Sequence, residues 1–191
     1  MSTTVYFIRH AQPDLAVRED AVRPLSAKGK EDARRLVRFF EGIAIDSIYS
    51  SPFLRAVDTV RPLADQRGLA IETVEDFRER KVDTGWIEDF QAFARRQWAD
   101  FQYKLTDGEC LAEVQARNVG ALKEVLKRHS DGHIVIGTHG TALSTILHDY
   151  DPSSYGYDWF ERIRKVTPLV VRVSFDDTGE AVIAVLPMET V

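Results

Sequence analysis

The sequence predicts an α/β protein: a three-layer α/β/α sandwich with a mostly parallel central sheet and an antiparallel hairpin at one edge. Three observations carry this. Short apolar runs rich in β-formers alternate with amphipathic stretches of helical period, the pattern of parallel strands joined by covering helices. Two strand-like runs close the chain around a turn-rich tetrapeptide, the mark of a hairpin. The 191 residues, 44% hydrophobic and 29% charged, suffice for one sizeable core and are few for two. Residues 1–191 therefore read as one domain.

Val5–Ile8 is the first strand. It runs into Arg9-His10, and Pro13 bars its continuation. Asp14–Arg23 is charged and irregular, a loop at the same sheet edge. Ser26 caps a helix whose Ala33, Leu36, Val37 and Phe40 form one apolar stripe, and Gly42 ends it. Ile45–Tyr49 is the second strand. It leads into Ser50-Ser51-Pro52, where Ser51 caps and Pro52 opens a helix to Arg67, stopped by Gly68. Pro62 inside that span predicts a kink or break near Arg61. Leu69–Val74 is a short third strand.

Residues 76–108 are the least regular stretch, an insertion or lid. Within it Phe90, Phe93, Trp98 and Phe101 predict a helix from about Glu88 to Tyr103. Glu109–His129 is a long helix with Leu111, Val114, Leu122, Val125 and Leu126 inward. His133–Gly137 is a buried strand followed by Thr138-His139-Gly140-Thr141 and a helix through about Leu147. Asp151–Ser154 is a loop and Tyr157–Arg164 a short helix. Leu169–Phe175 and Ala181–Leu186 flank Asp176-Asp177-Thr178-Gly179 as the hairpin.

The net charge of −5 argues against general nucleic-acid or anionic-membrane binding. No stretch approaches the roughly 20 apolar residues of a membrane span. The single Cys110 excludes an intramolecular disulfide and fits a reducing compartment. Met1–Thr4 shows no signal-peptide pattern. The expectation is a cytoplasmic protein with a small-molecule partner.

In open parallel sheets, ligands bind beyond the carboxyl ends of the strands. Three strands here end in chemistry: Arg9-His10, Ser50 with Arg55 one turn on, and Thr138-His139-Gly140. Each has an ordinary reading, Arg9-His10 as a polar exit from the core, His139 as a cap, Arg55 as a surface residue. Together they put two histidines and two arginines on one edge, beside two helix N-termini, an arrangement that favours a phosphate. Metal ligation fits poorly, because adjacent arginines repel a cation and Asp14 lies beyond a proline. No metal and no cofactor is expected.

Phe7-Ile8-Arg9-His10-Ala11 resembles the Arg-His-Gly signature of the histidine phosphatase superfamily, the phosphoglycerate-mutase-like enzymes. Leu25–Gly29 is similar to the segment that follows it. Tyr49–Thr59 resembles the family's paired serines, Arg-Ala and Thr, and Gly137–Gly140 its second histidine motif. The four motifs stand in the family's order. The resemblance implies a metal-independent phosphomonoesterase with a phosphohistidine on His10. Arg9, Arg55, His139, Gly140 and Gln12 would contact the phosphoryl group. Phe77-Arg78-Glu79-Arg80 resembles the segment carrying the proton donor, which makes Glu79 that residue, with Glu75, Asp76 and Asp83 as the other acids nearby.

Three departures stand out. Ala11 replaces the usual Gly, where a left-handed backbone would cost about 1 kcal/mol. Gln12 stands where Glu is common. Trp86-Ile87-Glu88-Asp89 replaces the common Trp-Glu-Gly. Two other functions share the motifs: phosphoglycerate mutase, whose members tend to have longer insertions, and a phosphate-binding module without turnover. Trp86, Phe90, Phe93 and Trp98 would floor a ring-bearing leaving group or simply pack. Arg78, Arg80 and Lys81 would favour a second anionic group or lie in solvent.

Overall fold

The computed structural model describes residues 3–188 except positions 86 and 177. Six strands, β1 (Thr3–Arg9), β2 (Ser47–Ser50), β3 (Ile71–Thr73), β4 (Gly132–Thr138), β5 (Leu169–Phe175) and β6 (Ala181–Leu186), form one sheet in the order β3-β2-β4-β1-β5-β6. The first four are mutually parallel. β5 runs antiparallel to β1, and β6 antiparallel to β5. The helices are α1 (Ala27–Phe39), α2 (Leu54–Arg67), α3 (Phe90–Ala99), α4 (Leu111–Arg128), α5 (Gly140–Tyr150) and α6 (Tyr157–Ile163).

Strand alternation sorts the side chains into two cores. Val5, Phe7, Ile134, Ile136, Val171 and Val173 face α4, α5 and α6. Tyr6, Ile8, Ile48, Val135 and Val170 face α1 and α2. This gives the three expected layers. β1 and β4 are covered on both faces, so their runs read as continuously apolar.

Several boundaries differ from the sequence reading. α2 begins at Leu54, not Pro52. Ser51 Oγ accepts the Phe53 N–H at 3.2 Å and shapes the turn before the helix instead of capping it. α2 runs through Pro62 without a break. Proline removes one i→i−4 bond, while Val60, Leu63 and Ala64 stay buried on the sheet. β3 is only three residues, an edge strand paired to β2 alone. α3 spans Phe90–Ala99, shorter than 88–103. Asp89 caps its start through the Ala92 N–H at 2.8 Å, and Asp100 leaves helical geometry at its end. Trp98 packs on Phe101, His148 and Phe160, the packing reading of these aromatics. Trp86 and Asp177 lie outside the described residues. No helix among the described residues is long and apolar enough to cross a membrane.

Candidate active site

The register places the three strand ends side by side. Arg9 pairs with Thr138, and Ser50 with Gly137. The ladder runs one residue past the strands, through His10 N–H to Thr138 C=O at 3.0 Å and Ser51 N–H to Gly137 C=O at 2.9 Å. Gly137 permits this approach, since a Cβ there would lie 2.7 Å from Ser50 Oγ. His10 and His139 meet with ring centroids 5.3 Å apart.

His10 is 7% exposed. Its Nδ1 lies 2.8 Å from the Ala11 carbonyl. A carbonyl only accepts, so Nδ1 carries the proton and Nε2 keeps its lone pair. Burial, then the charges of Arg55 and Arg9, hold its pKa well below the usual histidine value, against the opposing pull of the Ala11 bond. His139 is fully buried and held low by burial, then by Arg55, His10 and Arg9. Its Nε2 lies 2.7 Å from Ser51 Oγ, and its Nδ1 has no partner among the described residues. With Ser51 donating to Nε2, Nδ1 bears the proton and is the group left to bind an oxygen.

The two arginines are held differently. Arg9 Nη1 donates to the carbonyls of Ile163 and Val166, and Nη2 to that of Arg164, so the guanidinium also caps α6. Its Nε is buried without a partner among the described residues. Burial pushes the Arg9 pKa down to about 10, against the raising charge of Glu79. Gly140 opens α5 beside it, and a Cβ there would stand 3.2 Å from Arg9 Nε. Arg55 is 3% exposed. Its Nη1 donates to the Asp20 carbonyl at 2.6 Å and lies 3.2 Å from the Asp20 carboxylate. Arg23 folds the same loop, bonding Asp20, Val17 and Arg18.

Glu79 joins the group from a loop. Its Oε2 accepts the Thr141 N–H at 2.9 Å, and its Oε1 those of Arg80 and Ala142 at 2.8 and 3.1 Å. It therefore sits on the N-terminus of α5, directly after His139. Gln12 is not brought in. It is exposed, and its Oε1 accepts from Ser26 Oγ at 2.8 Å. Glu75 and Asp76 lie by Arg78, while Asp83 turns onto the Thr84 N–H. Arg78 pairs with Glu109 at 2.9 Å. Arg80 is buried between Gln97 and the rings of Phe90 and Phe93, and Lys81 is exposed.

Ala11 carries no left-handed strain, because Asp131 is the one non-glycine residue at positive φ among the described residues. Its N–H donates to Thr59 Oγ1 at 2.9 Å, and Thr59 donates to the Arg55 carbonyl at 2.6 Å. Thr59 thus ties the histidine loop to α2. Sequence reading assigns Ser51 only a capping role and Thr59 only a place within a motif, and no local signal marks Asp20. No group of three or more His, Cys, Asp or Glu among the described residues is placed to hold a metal ion. An open cleft at the other end of β1, lined by Thr3, Lys123, Asp131, Asp149 and Tyr150, contains none of the clustered groups.

The chain is similar to known proteins along most of its length. Residues 5–185 match the model of the histidine phosphatase superfamily, branch 1. The chain is 28% identical over 150 residues to the uncharacterized phosphatase PhoE of Bacillus subtilis, covering 76% of each chain. It is 27% identical over 157 residues to a probable phosphoglycerate mutase, GpmB, of Enterobacter, covering 75% of this chain and 72% of that one. The structure of Bacillus stearothermophilus YhfR superposes with a TM-score of 0.78 at 25% identity, covering 96% of both chains. With four motifs in order, the strand-end cluster they build and a family match along nearly the whole chain, this protein belongs to the histidine phosphatase superfamily, branch 1.

Proposed function

We propose that the protein hydrolyses small phosphomonoesters through a phosphohistidine on His10, with no metal. The observation that carries the reading is the bond between His10 Nδ1 and the Ala11 carbonyl. It fixes the tautomer with a lone pair on Nε2, in surroundings that disfavour the imidazolium.

In the first step Nε2 attacks phosphorus and the P–O bond to the leaving group breaks. Glu79 gives its proton to the departing alkoxide. In the second, Glu79 takes a proton from water, the water oxygen attacks phosphorus and the P–N bond breaks, returning neutral His10 and inorganic phosphate. Arg55, Arg9 Nε and His139 Nδ1 supply positive charge or donors to the phosphoryl oxygens, the main requirement of such transfers. Gly140 supports this by admitting Arg9.

Mutase activity is the second reading, and the likeness to GpmB favours it. It differs only in that a substrate hydroxyl replaces water. Between Arg78 and Gly108 the described residues hold one helix, the ten-residue α3, which favours an insertion too modest to seal the pocket from water. Release of inorganic phosphate from phenyl phosphate, with chelator present, tests the proposal against interconversion of 3- and 2-phosphoglycerate. Equal phosphate release by wild type and His10→Ala would sink it. Tight phosphate binding with neither activity would favour the non-catalytic module.

A further inference from the structure

We infer that Arg117 is a positioning residue for the Glu79 carboxylate, acting with Glu109 through the backbone of residues 76–81. The inference rests on the proposed role of Glu79 as proton donor. Glu79 belongs to no helix or strand: a 3₁₀ turn ends at Phe77, and α3 begins only at Phe90. Loop backbone must find its hydrogen-bond partners elsewhere, and here it finds them on α4 and the residue just ahead of it.

A guanidinium has five N–H donors, and Arg117 makes five bonds. Nη1 reaches the carbonyls of Asp76 at 2.8 Å and Arg78 at 2.7 Å. Nη2 reaches the carbonyl of Glu79 at 3.2 Å. Nε and Nη2 also bond the two oxygens of Glu109, at 2.9 and 3.0 Å. Glu109 in turn accepts the Lys81 N–H at 2.9 Å and Arg78 Nη2 at 2.9 Å. The chain is thereby tied at residues 76, 78, 79 and 81, on both sides of the acid. Gln97 adds α3 to the knot, donating to the Glu109 carbonyl at 2.9 Å and accepting from Arg80 Nη1 at 2.5 Å.

The other end of Glu79 is docked on Thr141 N–H and Ala142 N–H of α5. The acid is thus strung between a backbone held by α4 and a carboxylate held by α5. Lysine, a point charge with three donors, cannot reproduce the fan. Loosening the backbone by about 1 Å misplaces the proton, a displacement that costs on the order of 100-fold in rate.

The test uses two esters with one phosphoryl group. Phenyl phosphate needs its leaving group protonated, and dinitrophenyl phosphate does not. For Arg117→Met, kcat/KM, which reports the phosphorylation of His10 and not the hydrolysis step both esters share, should fall about 100-fold on phenyl phosphate and less than about threefold on dinitrophenyl phosphate. Inhibition by inorganic phosphate should stay near the wild-type value. In a Glu79→Gln background the substitution should add no further loss. Arg117→Lys and Glu109→Gln should show the same leaving-group bias at smaller size, and they carry the comparison if the methionine variant does not fold. Equal losses of kcat/KM on both esters, additivity with Glu79→Gln, or wild-type rates would overturn the inference while leaving the phosphatase reading intact. No turnover of either ester by wild type would overturn both.

Discussion

His10 stands at the end of a strand in the middle of the sheet, paired on both sides through β4 and β5. Glu79 stands on a loop with no ladder of its own. The histidine is placed by backbone, since the sheet register fixes Arg9 against Thr138 and the next peptide follows. The acid is placed by side chains and helix ends, through Arg117, Glu109 and the first amides of α5. A strand end inherits the stiffness of the core beneath it. A loop residue has only the contacts made to it, and each of those can be lost alone.

The largest test of the comparison removes its first half. His10→Ala should lower kcat/KM for phenyl phosphate by about 10⁴-fold or more while the fold survives, because the ring leaves a cluster held by backbone. Circular dichroism and a steady-state assay check both parts. Next comes the acid side. Glu79→Gln should cost about 10²- to 10⁴-fold in kcat/KM on phenyl phosphate and far less in kcat/KM on dinitrophenyl phosphate, whose leaving group needs no proton. A uniform loss of kcat/KM on both would mean that Glu79 serves the pocket's structure and not protonation of the leaving group.

A smaller effect sharpens how the cradle is tuned. Asp20 sets a half-exposed carboxylate 3.2 Å from Arg55 Nη1, while its carbonyl separately holds that atom at 2.6 Å. Asp20→Asn removes the charge and keeps the backbone bond. Inorganic phosphate should then bind about three- to tenfold tighter, a gain of roughly 1 kcal/mol. Isothermal titration measures it, and weaker binding would show that the carboxylate orients Arg55 instead of competing with phosphate.

The last test concerns stability against pH and leaves the reaction aside. Burial lowers the pKa of both His10 and His139 in the folded protein, whereas in the unfolded chain they titrate near 6.5. The unfolded state therefore binds more protons below that pH. Stability is fully present above about 6.5 and is lost as pH falls, by up to about 1.4 kcal/mol per pH unit for each group. Urea unfolding at pH 7 and pH 5 reads this slope, and His10→Ala should remove about half of the histidine part. An unchanged slope would place the histidine side in a wetter setting than its 7% exposure indicates.

Much of this was legible in the residues. Continuous apolar runs marked β1 and β4, because strands covered on both faces need no alternation. The stripe of Ala33, Leu36 and Phe40 marked α1, and Ser26 marked its start by accepting the Gly29 N–H. Since parallel strands share an exit edge, Arg9-His10, Ser50 with Arg55, and His139 are gathered by the sequence alone. Gln12, two residues after His10, shows where sequence reading stops: its side chain accepts from Ser26 Oγ, a contact no local pattern announces.

Local pattern reports local burial, and that is as far as the sequence alone determined this protein: the elements, their order and the edge where the chemistry gathers. The tertiary structure decided what bonds each group. Arg9 reaches carbonyls more than 150 residues away at the end of α6. Arg55 meets Asp20 from a loop without period. Glu79 lies 38 residues before the Arg117 that holds its carbonyl. Such partners are chosen by which loops the packed sheet and helices bring within hydrogen-bond reach, and no periodicity encodes that. The backbone angle of Ala11 belongs with them. Its neighbour Thr59, one helix away, holds its N–H while the angle stays out of the left-handed region, where sequence comparison had only a missing glycine to offer.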